Sequence, residues 1–189
     1  MSEILVNTIK KADGTGSLTV PAETGTVLTS ATNIVTNYGP LFRAARGPSS
    51  NQTVSHNTIT KVQFDVDVVD TDNCYDNTTN YRFTPTTAGY YYLNLNIIIE
   101  PPSSSNFLSL AYIYKNGSRQ ILTEKSTGSV GSGRNQSHSV SLIAEANGTT
   151  DYFEGFVYHF DYSGSGSAVL FGAADYRNCN FQGYLVRAL

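Results

Sequence analysis

The chain has 189 residues, of which only 14% are charged, and its formal net charge is −3. Globular domains carry about 25% charged residues, so serine, threonine, asparagine, glycine and tyrosine supply much of the polar surface here. The weakly acidic balance and the scattered basic residues argue against binding to nucleic acid or insertion into an anionic membrane. No apolar run approaches the ~20 residues of a membrane helix, and the length predicts one main domain.

Residues 1–37 differ from the rest of the chain, because short apolar pieces alternate with turns. Residues 12–16 and 23–25 have the composition of turns, and Pro21 ends the short strand predicted over residues 17–20. Each apolar piece is too short to bury itself, so we predict that this segment winds with other copies or docks on a partner. A disordered tail is the alternative. The residues assigned to attachment are Ile4, Val6, Ile9, Leu18, Val20, Val27 and Leu28.

The same segment resembles the N-terminal segments of short fibre and appendage proteins from tailed phages, particularly marine ones. In those proteins Thr-Ile, Gly-Thr-Gly and Val-Pro pieces precede a C-terminal head domain. The resemblance implies that residues 1–37 attach the protein to virion proteins of the tail or capsid. It also implies that the protein is assembled in the host cytoplasm and located in the virion. The corresponding pieces here are Thr8-Ile9, Gly14-Thr15-Gly16 and Val20-Pro21.

Gly39-Pro40 marks the start of the second domain, residues 38–189, in which every predicted element is a strand. The Gly/Ser-rich residues 126–136 and residues 47–57 are predicted to be loops. No segment shows the helical period, and many short strands separated by turns predict an all-β sandwich or barrel. The predicted strands cover residues 41–45, 62–68, 90–99, 107–115, 120–124, 138–146, 151–160, 168–171 and 180–187.

The stretch from residue 62 to residue 95 carries the most specific pattern. Its first part alternates, with the apolar residues on one face and Gln63, Asp65 and Asp67 on the other, which is typical of a half-buried strand. Residues 84–89 predict a turn, and the β-branched and aromatic residues 90–99 predict a long strand. The anchors of the pattern are Phe64, Asp70, Tyr75, Phe83, Gly89, Tyr91, Leu93 and Leu95.

The spacing of these anchors resembles the globular head of the complement first-component q-subunit, which shares its jelly roll with tumour necrosis factor. The family's pattern ends in Phe, five residues, Gly and alternating aromatics, which here are Phe83, Gly89 and Tyr91. Leu93 and Leu95 stand where aromatics are usual. The gap before Phe83 is one residue longer than in the family, which we interpret as an insertion in the Asn/Thr-rich loop.

Two further motifs extend the resemblance over roughly residues 38–189. Lys115-Asn116-Gly117 resembles a hairpin turn of the family, and Asn-Gly favours a type I′ turn on physical grounds. Residues 181–186 resemble the family's last strand. The resemblance implies an antiparallel jelly-roll sandwich that forms a homotrimer, with one sheet of each subunit packed about the threefold axis.

The aromatic residues also indicate a trimer, because they occupy both faces of a predicted strand. Tyr90 and Tyr92 oppose Tyr91 and Leu93, and a strand that is apolar on both faces must be covered on both sides. Another subunit supplies the second cover most simply. A seam drawn from Tyr90, Tyr92, Phe181 and Tyr184 is predicted. The full set of core and trimer anchors is Phe64, Phe83, Gly89, Tyr90, Tyr91, Tyr92, Leu93, Leu95, Phe181, Gly183 and Tyr184.

The residues with chemical potential do not predict catalysis. His56 lies in a predicted loop, and His138 and His159 lie in strands without metal-ligand spacing. His159 and Asp161 share a strand face and could orient two ligands, but a surface histidine is the preferred interpretation. No Gly-x-Ser-x-Gly elbow leads a strand into a helix, and the chain is short for a spike that cuts polysaccharide. We therefore expect no enzyme activity and no cofactor.

An acidic run begins within the strand predicted over residues 62–68 and continues into the following loop, and it offers the oxygen ligands that calcium prefers. The spacing is not that of an EF-hand loop, and a solvated strand face that blunts aggregation is the preferred interpretation. A metal site is therefore not expected, although some complement-type heads bind calcium. The weak calcium candidates are Asp65, Asp67, Asp70 and Asp72.

The cysteines and the glycosylation-type sequons fit a chain made in a reducing cytoplasm. The N-terminus lacks a basic region and a continuous apolar run, so no signal peptide is expected. Cys74 and Cys179 are then expected to keep free thiols, and pairing is the alternative if their loops meet. The sequons are interpreted as by-products of polar loops. They begin at Asn51, Asn77, Asn116, Asn135 and Asn147.

Together these features predict a non-enzymatic structural protein of a phage virion. The preferred hypothesis is a trimeric tail fibre or appendage whose head binds a host surface glycan, a host protein or neighbouring proteins. The alternative is a capsid decoration trimer that stabilises the shell. A cellular complement-like binding module is the distant alternative.

Overall fold

A computed structural model describes residues 39–48, 51–102, 106–127, 135–162, 164–173 and 179–189. These residues belong to the compact unit Tyr38–Leu189, and the predicted attachment segment, residues 1–37, lies outside them. Within the described ranges no helix is long and apolar enough to cross a membrane. The strands are β1 Leu41–Ala45, β2 Gln52–Val54, β3 Thr60–Lys61, β4 Val66–Asp70, β5 Tyr75–Asp76, β6 Arg82–Phe83, β7 Ala88–Glu100, β8 Phe107–Lys115, β9 Ser118–Thr127, β10 Gln136–Asn147, β11 Phe153–Asp161, β12 Ala168–Leu170 and β13 Asn180–Ala188.

The described strands form two antiparallel sheets. In sheet A, β10, β7, β13, β1 and β4 lie side by side in that order, and β12 pairs with the end of β7 and with β2. In sheet B the order is β5, β6, β11, β8 and β9, and β3 also pairs with β11. Strands that are neighbours in a sheet are mostly distant in sequence, so the fold depends on long-range pairing.

The core lies between the two sheets and is rich in aromatic rings. Phe42 of sheet A stacks on Phe83 of sheet B with ring centroids 4.1 Å apart, and Tyr75 and Phe181 contact the same ring. Alternate residues of β7 face this core while those between them face outward. Since burial of one large apolar side chain contributes about 1.5–3 kcal/mol, this ring cluster is a major source of stability.

The predicted strands over residues 41–45 and 107–115 are confirmed. The prediction of a loop over residues 47–57 is wrong in part, because β2 lies within it. The side-chain amide of Gln52 holds this short strand in place. Its Nε2 donates a hydrogen bond to Lys61 O at 2.7 Å, and its Oε1 accepts one from the backbone N–H of Gln63 at 3.0 Å. These contacts are long-range, so the sequence pattern did not reveal them.

The segment over residues 62–68 keeps its predicted alternation but is not one strand. Val62 and Phe64 are fully buried, whereas Gln63 is exposed. The chain pairs with sheet B at β3 and with sheet A at β4. Residues 62–65 therefore cross from one sheet to the other while keeping an apolar side towards the core.

The predicted hairpin at Asn116-Gly117 is confirmed and joins β8 to β9. Both residues have positive φ, 51° and 75°, as a type I′ turn requires. The Asn116 side chain also accepts a hydrogen bond from the Tyr152 amide at 2.9 Å and donates to Asp151 at 2.7 Å. Strand β9 extends to Thr127 and is longer than the predicted residues 120–124.

Candidate functional site

The predicted core anchors divide between the two sides of the strands. Phe64, Phe83, Tyr91, Leu93, Leu95 and Phe181 are fully buried. Tyr90, Tyr92 and Tyr184 lie on the outer face of sheet A. The prediction that Phe181 joins these tyrosines in a seam is wrong, because it is three residues from Tyr184 and therefore faces the other side of the strand. Gly89 and Gly183 lie in β7 and β13 and face inward.

The outer face of sheet A carries an apolar band at one end, which we call the sheet A band. Strand register places Ile143, Tyr92, Tyr184 and Leu41 in one row across four strands. The rings of Tyr92 and Tyr184 lie 5.4 Å apart. Ile143 is 63% exposed, Tyr184 48% and Leu41 41%. Contiguous exposed apolar groups of this kind are typical of interaction surfaces.

A ladder of amides and hydroxyls lies next to the sheet A band on the same face. Asn96 donates to Asn94 Oδ1 at 2.6 Å and to Asn180 Oδ1 at 3.0 Å, and Asn94 donates to Ser139 Oγ at 3.4 Å. These side chains satisfy one another, so the ladder presents a neutral polar surface. The outer face of sheet A thus places a polar ladder directly beside the apolar band.

The outer face of sheet B carries a row of aromatic rings, which we call the sheet B row. Phe156, Tyr158 and Phe160 are alternate outward residues of β11, and Tyr162 follows directly after the strand. The Phe160 and Tyr162 rings lie 4.9 Å apart, and the Phe156 ring lies 4.4 Å from Tyr114 on β8. These residues alternate at every second position of the sequence, but no motif there marks them as a functional row.

Lysine and arginine side chains lie over the rings of this face. Lys61 Nζ is 5.9 Å from the Phe156 ring and forms a 2.5 Å ion pair with Glu154. The Arg119 guanidinium lies 5.9 Å from the Tyr112 ring. Cation–π contacts of this kind contribute about 0.5–1 kcal/mol at exposed sites, so they help to hold the rings in place.

A buried hydrogen-bonded cluster connects β8 of sheet B to β10 of sheet A. Ser109 of β8 donates to Gln136 of β10, and the Ser109 Oγ to His138 Nε2 distance is 2.6 Å. Burial lowers the pKa of His138 to about 4, and the ammonium of Lys125 acts in the same direction. A serine–histidine contact can activate a nucleophile, but Ser109 is fully buried and His138 is 2% exposed. This pair therefore contributes to structure, and no local motif could have revealed it.

The prediction that His159 is a surface residue is wrong, because its side chain is fully buried. Its Nε2 donates to Gly166 O at 2.9 Å, and burial lowers its pKa. His56 lies beside it with ring centroids 5.8 Å apart and accepts a hydrogen bond from the Asp161 amide at 3.1 Å. His159 is one of the alternate residues of β11 that face inward, so its side chain lies between the two sheets.

The acidic run uses most of its oxygens to hold the backbone. Asp70 accepts hydrogen bonds from the Cys74 and Tyr75 amides at 3.0 and 2.9 Å, and Asp65 accepts from the Gly47 amide at 2.8 Å. The amides of residues 78–80 lower the pKa of Asp76. The described residues contain no group of three or more His, Cys, Asp or Glu placed to hold a metal ion.

Asp67 and Asp72 complete the set of weak calcium candidates. Asp67 is exposed, yet its pKa is raised by partial burial and by the neighbouring carboxylates of Asp70 and Asp76. Asp72 Oδ2 accepts from the Thr71 hydroxyl at 3.4 Å. The run therefore stabilises the loop through Asp65, Asp70 and Asp76, while the carboxylates of Asp67 and Asp72 are exposed.

Both cysteines are free and buried, which confirms the expected free thiols. Burial raises the pKa of the Cys179 thiol to about 11. Burial and the carboxylate of Asp70 also raise the pKa of Cys74. A low thiolate fraction makes both residues poor nucleophiles, so neither is a candidate reactive site.

No protein-family profile and no curated protein matches the sequence. Solved structures do match the fold. The Eiger TNF structure from S. frugiperda superposes with a TM-score of 0.58 at 10% identity, covering 80% of this chain and 95% of that chain. Murine APRIL superposes with a TM-score of 0.53 at 8% identity, covering 78% and 99%. The predicted all-β jelly roll of the tumour necrosis factor type is thus confirmed, and identities this low show the fold alone.

Proposed function

We propose that this protein is a non-enzymatic, homotrimeric head whose subunits meet through the outer face of sheet A. The single observation that supports this proposal is the sheet A band, because an isolated subunit leaves Ile143, Tyr184 and Leu41 between 41% and 63% exposed. Further copies of this chain are the proposed occupants, because the row crosses four strands of one sheet and the resemblance of residues 38–189 to the complement-head and tumour necrosis factor jelly roll implies a homotrimer. Burial of the band between subunits contributes about 25 cal/mol per Å² of apolar surface, and this drives their association.

The amide ladder suits the same interface. Its donors and acceptors are paired within one subunit, so burial of the ladder leaves few unpaired groups. Its position beside the sheet A band gives the contact a polar part, which favours one register of the subunits over others. An apolar band with a polar neighbour is the usual composition of a specific protein interface.

Light scattering tests the oligomeric state. The purified protein should have three times the chain mass of 20.5 kDa. Ile143→Asp should shift the population towards monomers, because a carboxylate in the band loses its hydration on association. Tyr162→Asp is the matched control, since Tyr162 is similarly exposed but directly follows β11 of sheet B and lies outside the band. A soluble wild-type monomer at micromolar concentration, or an equal effect of both changes, contradicts the proposal.

In its biological role, the head is part of a tailed-phage appendage, attached through residues 1–37 and facing the host or neighbouring proteins with its remaining surface. The resemblance of the N-terminal segment to phage fibre proteins supports this role, as does the low content of charged residues. Location in the virion follows from the same proposal. A decoration trimer on the capsid is the alternative.

Deletion of residues 1–37 separates the two roles. In a fibre or appendage, the shortened protein should still form trimers but should be absent from purified particles. Retention of the shortened protein on particles would place the attachment surface on the head and favour the capsid decoration role. The measurement is quantitative immunoblotting of particles assembled with either form.

A further inference from the structure

The sheet B row is an ordered array of rings that the trimer contact through sheet A leaves uncovered. The Cα atoms of Phe156, Tyr158 and Phe160 are spaced about 7 Å apart along β11, because each residue of a strand advances by about 3.3–3.4 Å. Tyr162 continues the row with its ring 4.9 Å from Phe160. The row is therefore longer than one sugar ring and runs in one direction along β11.

The rings are held in place before any ligand arrives. Phe156 packs against Tyr114 at 4.4 Å, and the Tyr158 hydroxyl donates to Asn57 Oδ1 at 2.8 Å. His56 packs against Phe160 at 4.6 Å. Ring side chains that are already ordered lose little conformational entropy on binding. The face thus has the rigidity of a binding platform.

The charges beside the row balance one another. Lys61 is paired with Glu154, and Arg119 and Glu124 are outward residues of β9. A face without excess charge offers no attraction to a polyanion or to an anionic membrane. A ligand that suits this face is an uncharged chain. Its apolar C–H faces would stack on the rings, and its hydroxyl groups would form hydrogen bonds with the polar atoms of the tyrosine, asparagine and histidine side chains.

We propose that the sheet B row binds an extended, uncharged oligosaccharide along β11. This inference deepens the proposed function, since it assigns the class of host-surface ligand and the strand that receives it. It differs from the trimer contact in residues and in sheet. Aromatic rings would stack on successive sugar units, and the hydroxyl of Tyr158 or Tyr162 would give orientation.

The test uses the full chain with cellohexaose, maltohexaose and xylohexaose as neutral probes. Glucose is the short control and an oligoguluronate the anionic control. Binding is followed by calorimetry and by tyrosine fluorescence, which is readable because the chain has 13 tyrosines and no tryptophan. At least one neutral hexasaccharide should bind about tenfold or more tightly than glucose, as expected for several stacked units. Binding of none of the three, or of the oligoguluronate alone, overturns the proposal.

Two matched tyrosines locate the site. Tyr162→Ala should weaken hexasaccharide binding about tenfold, whereas Tyr184→Ala, in the sheet A band, should change it less than about twofold. Tyr162→Phe should restore binding in large part because it keeps the ring. Tyr162 is 59% exposed, so its removal leaves the core intact, which thermal melting verifies. Unchanged binding by Tyr162→Ala, or equal loss in Tyr184→Ala, also overturns the proposal.

Light scattering on the same samples keeps the two proposals apart. A trimer that binds none of the neutral hexasaccharides contradicts the oligosaccharide site and leaves the trimer in place. A monomer that binds a hexasaccharide through Tyr162 contradicts the trimer and supports the site. Each result therefore decides one proposal independently of the other.

Discussion

The two sheets share one core but present different outer faces. The face of sheet A combines exposed leucine, isoleucine and tyrosine with an amide ladder, whereas that of sheet B carries a row of rings ordered by their neighbours. Exposed aliphatic groups gain most from complete burial, which a protein partner supplies. Fixed rings with hydroxyl tips can stack on a small polar ligand while remaining partly hydrated. The same alternation of residues therefore produces two kinds of surface.

The largest expected effect concerns the core that both faces share. Phe83→Ala should lower the free energy of unfolding by about 3–5 kcal/mol, because Phe83 is fully buried and stacks on Phe42 across the sheets. Phe156→Ala, on the outer face of sheet B, is the comparison and should cost less. Chemical denaturation measures both. If the two changes cost the same, the division between core and outer face is wrong.

The next effect is acid destabilisation through the buried cluster of Ser109, Gln136 and His138. The pKa of His138 is about 4 in the folded protein and near 6.5 when unfolded, so the unfolded chain binds the extra proton between these values. Stability is therefore full above pH 6.5 and decreases as the pH falls towards 4, by up to about 3 kcal/mol. Urea titrations at several pH values, compared with His138→Gln, measure this slope. An equal slope in the variant contradicts the assignment to His138.

A smaller effect distinguishes glycines in the two sheets. A Cβ at Gly89 would lie 2.4 Å from the Arg187 carbonyl oxygen, whereas a Cβ at Gly155 would lie 2.8 Å from the Leu95 side chain. Backbone moves less readily than a side chain, so Gly89→Ala should cost about 1–3 kcal/mol and Gly155→Ala should cost less. Thermal melting ranks the two variants. If Gly155→Ala costs more than Gly89→Ala, the backbone of sheet A accommodates an added methyl group more readily than the side chains around Gly155 do.

The smallest effect concerns the edge of sheet A. Asp67→Asn should change the free energy of unfolding by no more than about 0.5 kcal/mol, because the carboxylate is exposed and lies near Asp70 and Asp76. Addition of a chelator should leave the melting temperature unchanged. A clear loss of stability with chelator would show that the acidic run holds calcium after all.

The class of fold and several of its elements follow from local patterns in the amino-acid sequence. Alternation over residues 62–68, the Asn116-Gly117 turn and the anchor spacing up to Leu95 predicted an all-β jelly roll, because strand period and turn chemistry are local properties. Strand parity also separated Tyr90 and Tyr92 from Tyr91 and Leu93. The same parity rule puts Phe181 and Tyr184, which are three residues apart, on opposite faces of their strand.

The contacts between distant residues depend on the packed sandwich. Ser109 and His138 are 29 residues apart and lie in different sheets, and the burial of His159 depends on strands packed around it. The rows on the two outer faces also exist only once the register is fixed, since Ile143, Tyr92, Tyr184 and Leu41 come from four strands. Pairing between strands far apart in sequence has no local signal, because its free energy comes from contacts that form when the whole sandwich closes.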